Sequence, residues 1–215
     1  MYNTFKMLKD ELQGVISGTR GVTDGTAIQA VADFIKKGKG AGIDAEKGKF
    51  VKEQETAEIL AYAHANGFFV TDFDLSRYLA EGAEQKVYLN DDGLSVTKLN
   101  DGIFYETWTD YLYSLLLHNF FFPATSYELI GFLLKEGHLH AAVKQPFIQL
   151  TSSTDINKVK ELMASNGFAN NRNNDYINPT LGIIVEDLHD ENVLNNNGVL
   201  FFIDTIFYLT ADFFN

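Results

Sequence analysis

The chain has no cysteine among its 215 residues. That excludes disulfides and thiolate metal sites, and it favours no compartment. No apolar run approaches the roughly 18 residues needed to cross a bilayer. The nearest, Leu112 to Ala124, is interrupted by Ser114, His118 and Asn119 and carries Pro123 near its end. Lys6 and Lys9 stand near the start without the apolar stretch of a signal sequence behind them. A cytoplasmic protein with no membrane partner is the expectation. Basic residues are outnumbered, 17 Lys and Arg against 29 Asp and Glu, for a formal charge of -12. This disfavours a large nucleic-acid surface, because phosphate binding needs clustered cations. One local exception, Lys36, Lys37, Lys39, Lys47 and Lys49, reads as a helix end and a solvated loop. Apolar residues are abundant: they make up 46% of the chain, with 18 Phe and 10 Tyr. That is enough for one well-filled domain, with or without a short extension.

The pattern along the chain is mixed. Helical spacing appears over Thr4 to Ile16, Thr26 to Lys37 and Phe50 to Ala65. Gly38, Gly40, Gly42 and Gly48 imply a flexible loop between the second and third helices. Residues 1–70 read as a helical extension, and 71–215 as the principal domain. Within the latter, Lys86 to Asn90 and Leu94 to Leu99 alternate like strands around Asn-Asp-Asp-Gly, a hairpin signal. An aromatic helix over Phe104 to His118 follows. A second strand pair, Tyr127 to Leu134 and Leu139 to Phe147, turns at Lys-Glu-Gly. Asp155 to Asn166 reads as a helix capped by Thr154, with Gly167 behind it. The Asn-rich stretch 170–174 reads as loop. Short strands are expected at Leu181 to Val185 and Val199 to Ile203. The fold class is α+β.

The chemistry concentrates in Ile184-Val-Glu-Asp-Leu-His-Asp-Glu-Asn-Val-Leu194 and Leu200-Phe-Phe-Ile-Asp204. A turn brings Asp187 and Asn192 to one side. A buried strand after Gly198 then delivers Asp204 beside them. A carboxylate can orient an attacking hydroxyl or accept its proton. An amide oxygen and a second carboxylate suit Mg²⁺, which takes hard oxygen ligands and few of them from protein.

These residues resemble the protein-kinase-like superfamily. The kinase catalytic loop has Asp-Leu, an Asn five positions after the Asp, and an apolar strand. Asp187-Leu188 and Asn192-Val193-Leu194 occupy those places. The local Asp-Leu-His-x-x-Asn-Val-Leu is most similar to the aminoglycoside and choline kinase branch. The pieces Gly-Ala-Glu-Gln-x-Val-Tyr and Asp-Leu-His-x-Glu-Asn resemble kinase-like domains of phage and mobile-element polyvalent proteins. The resemblance covers about residues 80–206. It implies a two-lobe kinase-like fold, with an N-lobe at about 80–148 and a reduced C-lobe at about 149–215. It implies ATP and Mg²⁺ as cofactors. Asp187 would be the catalytic base, with Asn192 and Asp204 as metal ligands. Gly82 would stand at the glycine turn over the phosphates, and Lys98 on the α and β phosphates. Glu106 would be the ion-pair partner of Lys98, with Asp110 one turn later as the runner-up. The segment around Gln145 and Phe147 would be the adenine-binding hinge.

The sequence also departs from that pattern. Val185 stands two before Asp187, where protein kinases have His. Thr205 and Ile206 follow Asp204 instead of Phe-Gly, and eleven residues remain after Asp204. His138 and His140 have the spacing to share a strand face, as metal ligands would, but their place beside a turn reads as exposure. His189 reads as a residue that holds the loop, and Phe120 to Phe122 as core. The first functional expectation is an ATP- and Mg²⁺-dependent phosphotransferase of unspecified acceptor. The second is a pseudokinase or nucleotide- or partner-binding module without turnover. The third is an unrelated α+β protein.

Overall fold

The computed structural model describes residues 2–38, 48–71, 75–82 and 85–215. Gly40 and Gly42 of the glycine-rich loop, and Ala83 and Glu84 behind Gly82, lie outside them. The architecture is α+β, with five α-helices and three antiparallel sheets among the described residues. None of these helices is long and apolar enough to cross a membrane. The chain packs as two compact units, 1–22 with 116–125 and 148–215, and 23–115 with 126–147. Of the three N-terminal helices, the first falls in the former unit and the second and third in the latter.

The unit 23–115 with 126–147 is built on a five-stranded sheet. Its strands are β1 (Tyr78–Glu81), β2 (Gln85–Leu89), β3 (Ser95–Asn100), β4 (Glu128–Lys135) and β5 (His138–Pro146), in the order β1-β2-β3-β5-β4. β3 is buried at all six positions because it is paired on both sides, with β2 and with β5. The β2–β3 hairpin forms as the Asp-Asp-Gly signal predicts. Asp92 Oδ1 accepts from Leu94 N at 2.8 Å and Ser95 N at 2.9 Å, closing the turn from its own side chain. The β4–β5 turn places Glu136 and Gly137 both at positive φ, the type I′ pattern that suits strand twist. β4 bulges between Leu129 and Gly131. Gly131 has φ +148°, and a Cβ there would lie 2.7 Å from the Phe68 carbonyl, so only glycine fits.

Two helices belong to this unit. α2 (Thr26–Gly38) buries Ile28, Val31, Ala32 and Ile35, and its last turn carries Lys36 and Lys37, as suits a helix C-terminus. α3 (Gly48–Asn66) turns Lys52, Glu55, Thr56, Ile59 and Ala63 to one face by helical spacing, and Glu55, Ile59 and Ala63 are fully buried.

The aromatic helix, α4, runs over Trp108–Phe121 rather than from Phe104. Capping explains the later start. Thr107 Oγ1 accepts from Asp110 N at 3.0 Å, and Asp110 Oδ2 accepts from Thr107 N at 3.1 Å, a reciprocal box. Glu55 of α3 supplies the remaining acceptors. Its Oε2 takes Trp108 N at 2.6 Å and Thr109 N at 3.2 Å, and its Oε1 takes the Thr109 hydroxyl at 2.6 Å. A buried carboxylate is thus matched to a helix N-terminus and its free N–H groups. Lys52, one turn earlier on α3, donates to the carbonyls of Gly102 and Tyr105. Burial holds its ammonium below the usual lysine pKa, opposed by Asp101, Glu55 and Asp110.

The unit 1–22, 116–125 and 148–215 holds α1 (Tyr2–Ser17), the last turns of α4 and α5 (Ile156–Ser165). It also holds β6 (Ala169–Arg172), β7 (Asp175–Asn178), β8 (Ile183–Glu186), β9 (Val193–Asn196), β10 (Val199–Phe202) and β11 (Ile206–Leu209). One sheet is ordered β11-β8-β7-β6 and the other is the β9–β10 hairpin. Asp155, not Thr154, caps α5: its carboxylate accepts from Asn157 N at 3.0 Å. Thr154 instead donates its hydroxyl to the Val193 carbonyl at 2.5 Å. The Asn-rich stretch is not loop but β6 turning into β7. β6 is exposed throughout, so no apolar alternation announces it, and Asn173 takes the left-handed turn position at φ 48°. α1 is tied to the chain's end, where Lys9 Nζ and Gln13 Nε2 each donate at 2.6 Å to the carbonyls of Asp212 and Phe213. Phe213 is fully buried and Phe214 exposed.

Candidate functional site

The segment that the sequence singles out is the six-residue loop between β8 and β9. Val185, Leu188 and Val193 are buried and anchor it, so the polar residues between them are held at the surface. Asp187 is exposed and has φ 70°, a left-handed backbone that a non-glycine residue adopts at a cost of about 1 kcal/mol or more. The loop fixes that conformation with its own hydrogen bonds. Asp187 N donates to Asp175 Oδ1 at 3.1 Å, Leu188 N to the Asn174 carbonyl at 3.1 Å and His189 N to the Asp187 carbonyl at 2.9 Å. The β6–β7 hairpin therefore braces the loop from below.

Asn192 is brought to Asp187. Its Nδ2 donates to the Asp187 carbonyl at 3.0 Å and to Asp187 Oδ2 at 3.2 Å. Both acceptors are oxygens without protons, so the amide must present its NH₂ to them. Its Oδ1 is turned away and accepts no hydrogen bond among the described residues. The Asn192 carbonyl accepts from Ile203 N at 2.9 Å, which sets the residue before Asp204 against Asn192. Asp204 itself is half-buried, between β10 and β11. His189 holds the loop, with Nδ1 accepting from Glu191 N at 3.2 Å and Nε2 lying 3.4 Å from Asp187 Oδ1. The site is acidic. Burial, Asp175 and Asp187 together raise the Glu186 carboxyl above its usual pKa.

The donor types at Asn192 and Asp204 are of the hard-oxygen kind that magnesium takes. Asn192 Oδ1 and the Asp204 carboxylate are hard oxygen donors on backbone positions tied by one hydrogen bond. Two protein oxygens suffice for Mg²⁺, which keeps waters and binds phosphate. The described residues contain no group of three or more His, Cys, Asp and Glu arranged to hold a metal. His138 and His140 are, as expected, near the turn of a hairpin, with His138 exposed.

Lys98 belongs to the other unit. It lies on β3, opposite Val87 of β2 and Val143 of β5, and is almost fully buried. Its Nζ lies 5.5 Å from the centroid of the Tyr127 ring. Strand alternation puts Val96 and Gln145, its partner in register, on the same sheet face as Lys98. Gln145 is buried there. Phe147 follows β5, half exposed, and its N–H donates to the Leu94 carbonyl at 2.8 Å. Gly82 directly follows β1, and its N–H donates to the Gln85 carbonyl. The ion pair expected of Lys98 is not made with either named candidate. Glu106 is exposed and precedes α4 instead of lying on it. Asp110 is engaged in the α4 cap. The capping by Thr107 and Glu55 is the physical reason, since it starts the helix after Glu106.

A model of the family described as Serine/Threonine/Tyrosine Kinase found in polyvalent proteins matches residues 52–211, 160 of the chain's 215 residues. The chain belongs to that family. No curated protein and no solved structure matches it. The kinase-family span begins at Lys52, within α3, and so takes in Glu55. Sequence reading missed Glu55 because a glutamate on a helix is usually solvated. The available signal was its spacing from Ile59 and Ala63 on the apolar side of α3. His118, Thr125 and Thr205, all buried in the unit that carries Asp204, were missed in the same way.

Proposed function

We propose that the chain is an ATP- and magnesium-dependent phosphotransferase. Membership of the kinase family supports it. The observation that carries it is the Asp187–Asn192 hydrogen bond, together with the Asn192–Ile203 bond that precedes Asp204. Asp187 orients the acceptor hydroxyl and takes its proton as that oxygen bonds to the γ-phosphorus of ATP, while the bond from the γ-phosphorus to the β–γ bridging oxygen breaks and ADP leaves. Its partner Asn192 keeps the carboxylate turned outward. Asn192 Oδ1 and Asp204 would hold a magnesium ion, which would supply neutralisation of charge on the phosphate oxygens. Lys98 serves the α and β phosphates, Gly82 the glycine turn over them, and Gln145 and Phe147 the adenine end. Because the Phe147 N–H is engaged, its carbonyl is the group left for adenine.

The test is transfer of the labelled γ-phosphate of ATP to a panel of hydroxyl acceptors, including the protein itself. Transfer that depends on magnesium and disappears in Asp187→Ala is the expected result. Magnesium-ATP binding with no transfer to any acceptor would instead support the second reading, a nucleotide-binding pseudokinase. The departures from the kinase pattern favour that reading: Val185 stands two before Asp187 in place of His, and Thr205 and Ile206 follow Asp204 in place of Phe-Gly.

A further inference from the structure

The sequence departs from the kinase pattern directly after Asp204, where Thr205 replaces the usual phenylalanine. The structure gives that hydroxyl a partner. His118, on the last turn of α4, is fully buried, and its Nδ1 lies 2.6 Å from Thr205 Oγ1. Its Nε2 lies 2.9 Å from the Thr125 carbonyl. A carbonyl oxygen can only accept, so in the neutral ring Nε2 carries the proton and Nδ1 is the acceptor. Thr205 therefore donates to His118. The same short turn, Pro123–Thr125, reaches the other side of Asp204: the Thr125 hydroxyl donates to the Phe202 carbonyl at 2.5 Å. Aromatic stacking repeats this two-sided grip. Phe122 stacks on Phe202 with centroids 4.2 Å apart, and Phe121 on Phe207 at 5.4 Å. Phe202 and Phe207 flank Asp204 in sequence, so all of these contacts converge on the break between β10 and β11.

We infer that Thr205, His118 and Thr125 form a positioning relay for Asp204, the metal-binding carboxylate of the proposed function. Hydrophobic stacking alone would fix the depth of the two strands but not the rotation of the turn between them. Directed hydrogen bonds to Thr205 and Phe202 fix that rotation, and with it the direction of the Asp204 carboxylate. A purely structural pair would contribute stability without regard to magnesium. A positioning pair contributes to the apparent magnesium affinity as well. Partners that orient metal ligands typically change affinity by about 10- to 100-fold when removed.

This inference rests on the phosphotransferase reading, and the experiment separates the two. The 215-residue chain is titrated with MgCl₂ at fixed ATP, and the magnesium concentration giving half of the thermal shift is recorded. Thr205→Val keeps the shape and removes the hydroxyl. It is expected to raise that midpoint about tenfold or more, whereas Thr205→Ser, which restores the donor, stays within about twofold of wild type. Asp155→Ala, which weakens the α5 cap in the same unit, is the stability control and leaves the midpoint unmoved. If Thr205→Val does not fold, Thr125→Val reports the Phe202 side with the same expectation. A midpoint unchanged in Thr205→Val, or in Thr125→Val where that variant stands in, with a normal wild-type shift, overturns the relay alone. A wild type that shows no magnesium-dependent shift overturns both the relay and the reading beneath it.

Discussion

Lys98 and Asp187 are held in place in opposite ways. Lys98 sits in the middle of a strand paired with β2 along five residues and with β5 along six, and it is almost fully buried. Asp187 is exposed, in a loop between two strands of only four residues, and its left-handed backbone is kept by hydrogen bonds from its own neighbourhood. The lysine is located by long-range register, which costs stability to disturb. The aspartate is located by local bonds, which can be altered with little effect on folding. The lesson is that stability and chemistry should separate in mutants of the two regions.

The largest effect belongs to the sheet. Gly131→Ala forces a side chain into the Phe68 carbonyl at a backbone conformation suited only to glycine. The expected loss is about 2 to 5 kcal/mol, from strain and overpacking together, measured by urea unfolding. Next is Glu55→Ala. It strips acceptors from Trp108 N, Thr109 N and the Thr109 hydroxyl. A hydrogen bond to a charged group contributes about 1.5 to 3 kcal/mol, and because the three share one carboxylate they do not add, so a loss of about 2 to 3 kcal/mol or more is expected. A loss below about 0.5 kcal/mol would show that α4 is held without α3.

The loop should behave the other way. Asp187→Asn retains an oxygen for Asn192 Nδ2 and tolerates the left-handed backbone. Its stability should stay within about 0.5 kcal/mol of wild type, while phosphate transfer falls by about 100-fold or more. A large loss of stability would erase the contrast between the regions. The smallest effect is electrostatic. The Glu186 carboxyl has a folded pKa above its ordinary 4.5, through burial first and then Asp175 and Asp187. Below the unfolded pKa both states are protonated and no difference exists. As pH rises through the window from the unfolded pKa to the raised folded pKa, the unfolded state releases its proton first, and the folded state loses stability. Glu186→Gln should therefore be more stable than wild type at pH 7. That advantage should vanish on acidification below about 4.5.

The sequence was legible where periodicity was long. The strands read over Lys86 to Asn90 and Leu94 to Leu99 form with bounds shifted by one residue, and the hairpin between them and the helical face of Ile28, Val31 and Ile35 are present in the structure, although β3 is buried on both faces rather than alternating. The Asp187–Asn192 pairing was legible as a motif, because five residues of loop return the chain to its own turn. What was not legible depends on contacts distant in sequence. Asp155 caps α5 because Thr154 is drawn away to Val193, a strand 39 residues later. β6 has no apolar face to reveal it, and only its pairing with β7 makes it a strand. Glu106 seemed to be on a helix because its neighbours are aromatic, yet a carboxylate 53 residues upstream of Trp108 helps set where α4 begins. His118 read as a break in an apolar run, and its partner Thr205 lies 87 residues away.

The central claim is that Asp204 belongs to a magnesium-nucleotide site. Thermal unfolding of wild type and Asp204→Ala, each with and without magnesium and ATP, tests it most directly. Binding to the native state adds about 2.7 kcal/mol at a hundredfold excess of ligand over its Kd. The account predicts a rise in wild-type Tm that requires both magnesium and ATP and is lost in Asp204→Ala. No rise in wild type at saturating magnesium and ATP, or an equal rise in Asp204→Ala, would contradict it.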